Sequence, residues 1–199
     1  MAIKTHVGIQ PEHHEEAARL YALAFERKFR KILGTPEVVV QLMKHDLNPD
    51  FAISATNDAN ELVGISGFQI GNQSLTSIKF KSFTNQYGFL KGTFKYLLLG
   101  VLFSRSPDKP NQLLMDGIAV KEGQRGKGIG KLLFEELQRF AEQGGFTTLK
   151  LDVIDENPDA KRLYEKIGFV ATKYQSLPTF IQDLIGVSGV TTMEKELGR

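Results

Sequence analysis

The stretch Gln124-Arg125-Gly126-Lys127-Gly128-Ile129-Gly130-Lys131 lies between a strand-like run ending at Val120 and a helix-like run beginning near Ile129. It reads as an anion cradle. Glycines lack a Cβ, so backbone N–H groups there approach a phosphate closely, and the start of the following helix adds unpaired donors and the positive end of its macrodipole. Two common phosphate loops fail on the letters. A Walker A loop requires Gly, four residues and then Gly-Lys-Ser/Thr; here Gly130-Lys131 is followed by Leu132, and Arg125 stands where the first glycine belongs. A dinucleotide fingerprint counted from Gly126 meets Lys131 at its third glycine position, and counted from Gly128 it meets Leu133.

The pattern that does fit is Gln/Arg-x-x-Gly-x-Gly/Ala, an acyl-CoA signature, read as Arg125-Gly126-Lys127-Gly128-Ile129-Gly130. Upstream runs Leu113-Leu114-Met115-Asp116-Gly117-Ile118-Ala119-Val120. Downstream come Leu149-Lys150-Leu151-Asp152-Val153, then Asn157-Pro158-Asp159-Ala160, then Leu163-Tyr164-Glu165-Lys166-Ile167-Gly168-Phe169. In order and spacing these segments resemble the GNAT superfamily of N-acyltransferases. The resemblance is specific over about residues 113–170 and looser elsewhere, although Met193-Glu194-Lys195-Glu196-Leu197 is similar to the family's last strand.

The rest of the chain is compatible with one α/β fold. Ala17, Leu20, Tyr21, Ala24, Phe25, Ile32 and Leu33 approximate a helical stripe over 11–33, with Glu12, Glu15 and Glu16 early and Arg27, Lys28, Arg30 and Lys31 late, an order that suits the helix dipole. Thr35-Pro36 predicts a second helix start. Phe51 to Ala55 and Glu61 to Ile70 flank the polar turn Thr56-Asn57-Asp58-Ala59-Asn60 and predict a hairpin. From Leu113 the order is strand, glycine loop, helix, strand, helix, strand. Ile129, Leu132, Leu133, Leu137, Phe140 and Ala141 mark the first of these helices, and Ala160, Leu163, Tyr164 and Ile167 the second. Phe169 to Tyr174 and Val190 to Leu197 predict two late antiparallel strands joined by Leu177 to Gly189. The expected architecture is a GNAT-like mixed, mostly antiparallel central sheet with helices on both faces. We expect a single domain over 1–199, with N-terminal helices and hairpin at 1–71, an insertion at 72–112, the acyl-CoA-binding core at 113–170 and C-terminal strands at 171–199. The insertion is longer than the family usually carries, and its residues 87–104 predict an apolar helix despite Gly88, Gly92 and Gly100.

Composition narrows the functional classes. A chain of 199 residues, 41% hydrophobic and 24% charged, is long enough for a sizeable core. Its net charge of +2 gives no case for a nucleic-acid partner. No cysteine means no disulfide and no acyl-cysteine intermediate. The four histidines His6, His13, His14 and His45 form no His-x-x-x-His pair, so no metal is expected. The longest apolar run, Tyr96 to Phe103, falls far short of a membrane span. The amino terminus lacks an export pattern, and a cytoplasmic location is the expectation.

The resemblance implies acetyl-CoA as co-substrate, and three surfaces to meet it. Backbone amides from Arg125 through Gly126, Lys127, Gly128, Ile129 and Gly130 to Lys131 would take the pyrophosphate, with Arg125 and Lys131 adding side-chain charge. The exposed backbone of Ile118, Ala119 and Val120 would pair with the pantetheine amides, with Asn157 and Ala160 beside them. A bulge near Gly117 would splay the signature strand from its parallel neighbour and offer N–H groups to a developing oxyanion. The attacking amine must lose its proton, and Asp116 is the candidate base; the alternative is a carboxylate that bonds the bulge backbone. Tyr164 matches the tyrosine that protonates the leaving thiolate, against the alternative of a packing residue. Asn157 is equally a helix cap before Pro158. The apolar 87–104 segment reads as a lid over a hydrophobic amine or as a homodimer contact. Three functions follow: an N-acetyltransferase acting on a small-molecule or peptide amine, a catalytically silent CoA-binding sensor, and a partner-binding or membrane-surface protein on the same fold.

Overall fold

The computed structural model describes every residue except Met1, Phe25, His45, Ser77, Ile78, Ser104 and Arg199. Phe25 of the predicted stripe, His45, and Ser104 at the end of the 87–104 helix therefore lie outside the described residues. In chain order the elements are β1 (Ile3–Val7), α1 (His14–Ala24), α2 (Glu26–Leu33), α3 (Pro36–Met43), β2 (Ala52–Asn57), β3 (Leu62–Ile70) and β4 (Gln73–Ser74). The insertion holds α4 (Phe80–Tyr87) and α5 (Phe89–Phe103). The remainder is β5 (Gln112–Val120), α6 (Ile129–Gln143), β6 (Thr148–Ile154), α7 (Pro158–Lys166), β7 (Val170–Ser176), α8 (Thr179–Ile185) and β8 (Gly189–Glu196).

The strands form a mixed sheet in the order β1-β2-β3-β5-β6-β8-β7, with β4 paired on β3. Every pairing is antiparallel except β5 with β6. That exception follows from the connection, because a crossover through α6 returns the chain in the same direction. Two cores lie on the two faces. One joins Ala17, Tyr21, Leu33, Met43, Leu75, Phe83 and Ile185 under the helices α1 to α5 and α8. The other joins Ile129, Leu133, Phe134, Leu137, Tyr164 and Phe169 under α6 and α7.

Several expectations change in detail. The 11–33 stripe resolves into a short 3-10 turn at Pro11–His13 and two helices, and β1, β4 and α8 were not predicted. The apolar helix predicted over 87–104 is found as α5, whereas α4 precedes it without having been predicted, and the two are separated at Gly88, whose φ of 77° favours a residue without Cβ. Gly92 lets the two helices close together: a Cβ there would stand 2.6 Å from the Phe83 carbonyl oxygen. On α6, Leu132 of the predicted stripe is exposed, while Phe134 is buried beside Leu133 and Leu137.

Candidate active site

The central feature of the sheet is a divergence between β5 and β6. The parallel pairing covers Gln112 with Thr148, Leu113 with Leu149 and Leu114 with Lys150, and then stops. Beyond Leu114 the β6 strand stays with β8 through Ile154, and β5 stays with β3 through Val120. One edge of Ile118-Ala119-Val120 is thus left free. A bulge accompanies the divergence: Gly67 pairs with Gly117 but Phe68 pairs with Met115, so Asp116 is the extra residue. Such an insertion bends its strand and re-aims its side chains.

The opening between the strands is a cavity of about 350 Å³. Its β5 wall is Asp116, Gly117, Ile118, Ala119 and Val120. Asp152, Val153 and Ile154 of β6 stand opposite, and Asn157, Ala160, Leu163 and Tyr164 close one side from α7 and the turn before it. Arg125 and Gly130 form the glycine-loop end, and Ala24 and Arg105 the other lining.

The glycine loop is built from backbone. Gly126 and Gly128 adopt φ of 77° and 80°, the left-handed region, and Gly128 is the N-cap residue just before α6. Gln124 N–H donates to Lys121 at 3.0 Å and Leu132 N–H to Gly128 at 3.1 Å. Among the described residues no backbone bond is donated by Arg125, Gly126, Lys127 or Gly128. The amides of Ile129, Gly130 and Lys131 occupy the first helical turn, where no carbonyl of the same helix is available. The loop therefore presents a run of free donors at a helix start. Its cationic side chains are otherwise engaged. Arg125 Nε donates to the Val120 carbonyl at 3.3 Å, Lys127 bonds Gln124 at 2.9 Å, and Lys131 pairs with Glu135 at 3.6 Å. Of the residues predicted for the site, Gly126, Lys127, Gly128, Ile129 and Lys131 do not line the cavity, and the Ile129 side chain points into the core at 1% exposure.

Asp116 lies at the inner end of the cavity with its side chain 4% exposed. One carboxylate oxygen is ion-paired to the Arg105 guanidinium, which also donates to the Met115 carbonyl at 3.3 Å. The other oxygen is buried and without a hydrogen-bond partner. It rests against β3 where Gly67 leaves room, since a Cβ there would meet Asp116 Oδ2 at 3.0 Å and Leu75 at 2.8 Å. Tyr21 of α1 stands near the pair: burial pushes its phenol far above the usual value, and the Asp116 charge adds to that. The bulge placed near Gly117 is thus centred on Asp116, and the carboxylate's partner is a guanidinium rather than bulge backbone.

Tyr164 is buried, its ring edge-on to Phe169 at 5.8 Å between centroids. Burial pushes the phenol up to about 12, and its hydroxyl has no hydrogen-bond partner among the described residues. The ring thus packs while the residue lines the cavity. Asn157 caps α7 by accepting from Ala160 N–H at 3.2 Å, and also lines the cavity, so the cap and a ligand contact are compatible. Sequence reading missed Arg105, Tyr21, Ala24 and Gly67. Arg105 sits in an insertion without a motif, and the other three look like ordinary core or strand positions. Among the described residues no group of three or more acidic, histidine or cysteine side chains is placed to hold a metal.

The arrangement combines donors for an anionic group, a free strand edge for an amide-bearing chain, an unpartnered carboxylate oxygen and a protonated phenol. Relatives point the same way. Residues 20–169 match the model of the acetyltransferase (GNAT) family. The probable N-acetyltransferase camello of Xenopus tropicalis is 32% identical over 76 residues, 38% of this chain and 35% of the relative. Streptothricin acetyltransferase of Streptomyces lavendulae is 38% identical over 58 residues, 29% of this chain and 31% of the relative. The matched part thus spans about a third of the length of these curated relatives. Among solved structures, a GNAT-family acetyltransferase from Staphylococcus aureus Mu50 superposes with a TM-score of 0.57 at 15% identity, covering 99% of this chain and all of the other. The ribosomal-protein-S18-alanine N-acetyltransferase of Escherichia coli gives 0.53 at 15% identity, covering 100% and 96%. These likenesses are to the fold. With the family model covering most of the chain, the protein belongs to the acetyltransferase (GNAT) family.

Proposed function

We propose that this protein is a cytoplasmic N-acetyltransferase that passes the acetyl group of acetyl-CoA directly to a primary amine. The observation that carries the reading is the run of unbonded amides from Arg125 to Lys131 beside a strand edge that β6 has left free. A diphosphate suits those donors and the helix start behind them, and a pantetheine chain suits the open backbone of Ile118 to Val120. The thioester, when bound, supplies an activated acyl carbon.

The remaining chemistry falls to side chains around the cavity. The free oxygen of Asp116 takes the proton of the incoming ammonium, directly or through water, while Arg105 holds the other oxygen. The Tyr164 hydroxyl donates toward the departing sulfur. With its phenol at about 12 it keeps its proton throughout the working pH range, and it releases that proton only to a thiolate that is itself shut away from water. The backbone N–H groups at the Asp116-Gly117 break serve the developing oxyanion. Asn157 and Ala160 flank the pantetheine arm.

The test is a thiol-release screen of primary amines with acetyl-CoA, run beside calorimetry of coenzyme A. Binding together with amine-dependent thiol release is the expected result. Binding without release from any amine makes the chain a silent CoA sensor, and absence of binding removes the reading altogether.

A further inference from the structure

α5 carries large apolar side chains both toward the core and toward solvent, with Lys91 and Lys95 on its flank. Inward, Tyr96 stands edge-on to Phe80 and Phe83 at 5.4 and 5.6 Å, and Leu98 and Leu99 join the core. Lys95 donates to the Ile32 carbonyl near the end of α2, and Tyr87 of α4 donates to the Leu33 carbonyl at 2.5 Å. The hairpin is therefore anchored and its outer face is fixed. That face carries Phe89, Leu90, Phe94 and Leu97 at 69%, 81%, 64% and 60% exposure. At helical spacing Leu90, Phe94 and Leu97 fall within an arc of about 60°. An exposed apolar face of this kind marks a contact surface.

Charge decides which covering fits. Between Leu62 and Pro107 the chain has no Asp or Glu, yet it carries Lys79, Lys81, Lys91, Lys95 and Arg105. Those cations exceed the net +2 of the whole chain, so the rest of the molecule is net negative. Lys79 is paired with Asp46, Lys95 is turned inward and Arg105 is paired with Asp116. Lys81 and Lys91 are exposed and form no ion pair among the described residues. Burial and the neighbouring Lys91 charge together hold the Lys95 ammonium below its ordinary value. A second copy bound through this face in two-fold fashion would bring lysines toward lysines, with no carboxylate in the hairpin to answer them. An anionic, apolar surface meets both requirements. The helix is also of interfacial rather than spanning length, since no helix among the described residues is long and apolar enough to cross a membrane.

We propose that the outer face of the α4–α5 hairpin docks on an anionic lipid bilayer, with Leu90, Phe94 and Leu97 in the acyl boundary and Lys81 and Lys91 among the headgroup phosphates. Arg105, which lines the cavity, lies two residues beyond the end of α5 in the sequence, and, on the proposed acetyl transfer, docking would favour amines borne on amphiphiles.

The experiment is co-sedimentation of the full chain with phosphatidylcholine vesicles and with vesicles containing one third phosphatidylglycerol. The wild type is expected to pellet with the anionic vesicles and to remain soluble with the neutral ones. Leu90→Glu/Leu97→Glu abolishes pelleting, and Lys81→Gln/Lys91→Gln weakens it by about fivefold for each lysine, as does raised salt in the same direction. Coenzyme A affinity is unchanged in both variants and reports their folding; it also separates this proposal from the enzymatic one. Failure of the wild type to pellet, or pelleting that survives Leu90→Glu/Leu97→Glu, overturns the proposal. A wild-type dimer by light scattering that Leu90→Glu/Leu97→Glu converts to monomer overturns it in favour of a second copy on the same face.

Discussion

Arg105 and Asp116 form a buried ion pair in which one carboxylate oxygen is taken by the guanidinium and the other has no partner. The pair links the insertion to the bulge in β5, two regions that share no local sequence relation. Removing the cation leaves a carboxylate with 4% side-chain exposure uncompensated, so Arg105→Gln is expected to cost about 3 kcal/mol or more in urea unfolding. Arg105→Gln/Asp116→Asn regains most of that stability. Asp116→Asn alone is expected to lower kcat about 100-fold, the usual range for losing a general base. Additive stability losses in the double variant, or full turnover in Asp116→Asn, contradict the respective assignments.

Tyr164→Phe keeps the ring against Phe169 and removes only the hydroxyl. Turnover is expected to fall about 100-fold, with coenzyme A affinity measured by calorimetry staying within about twofold. Wild-type turnover in this variant would assign Tyr164 to packing alone.

Gly128, just before α6, and Gly130, in its first turn, are expected to respond oppositely to alanine. Gly128 has φ of 80°, so Gly128→Ala strains the backbone, lowers stability by about 1 kcal/mol and weakens coenzyme A binding. At Gly130 an added Cβ stands no nearer than 3.8 Å to Ile118, so Gly130→Ala is accommodated and gains about 0.5–1 kcal/mol from helix propensity. Thermal unfolding of the two variants with and without coenzyme A separates strain from ligand contact. Equal effects at both positions would contradict the geometry.

Stability is expected to fall at alkaline pH. Tyr164 and Tyr87 have phenols raised to about 12, chiefly by burial, and Tyr21 is raised further. Below the unfolded value of about 10 all are neutral in both states and no stability is lost. From about 10 to about 12 the unfolded chain ionises first and binds fewer protons, so unfolding is favoured by up to about 2.7 kcal/mol for the buried Tyr164. The measurable result is tyrosinate absorbance that rises together with loss of helical circular dichroism. Titration of these phenols near 10 in a protein that stays folded would contradict their burial.

The β5–α6–β6–α7 core was legible because each of its signals is local. Alternation in Leu149, Leu151 and Val153, helical spacing in Ile129, Leu133 and Leu137, and the Arg125–Gly130 pattern each depend on neighbours within a few residues. The fifteen-residue α5 was legible for the same reason, whereas its separation from α4 turns on the backbone angle at Gly88. β1 was missed because Ile3-Lys4-Thr5-His6-Val7 alternates only weakly and becomes a strand by pairing with β2. Seven-residue α8 was missed because so short a segment carries little periodicity and is held by packing on α2.

By itself the chain determined the glycine loop and its helix start, since glycine stereochemistry and helix ends act through the bonds of adjacent residues. It also determined the apolar run of 87–104 and the absence of Asp and Glu between Leu62 and Pro107, which are read directly from the residues. Only the tertiary structure decided where β5 leaves β6, that Asp116 is the bulged residue, and that Arg105 answers its charge. Those outcomes depend on the register between strands distant in sequence, and on which side chains are driven out of water when the insertion folds back over the sheet.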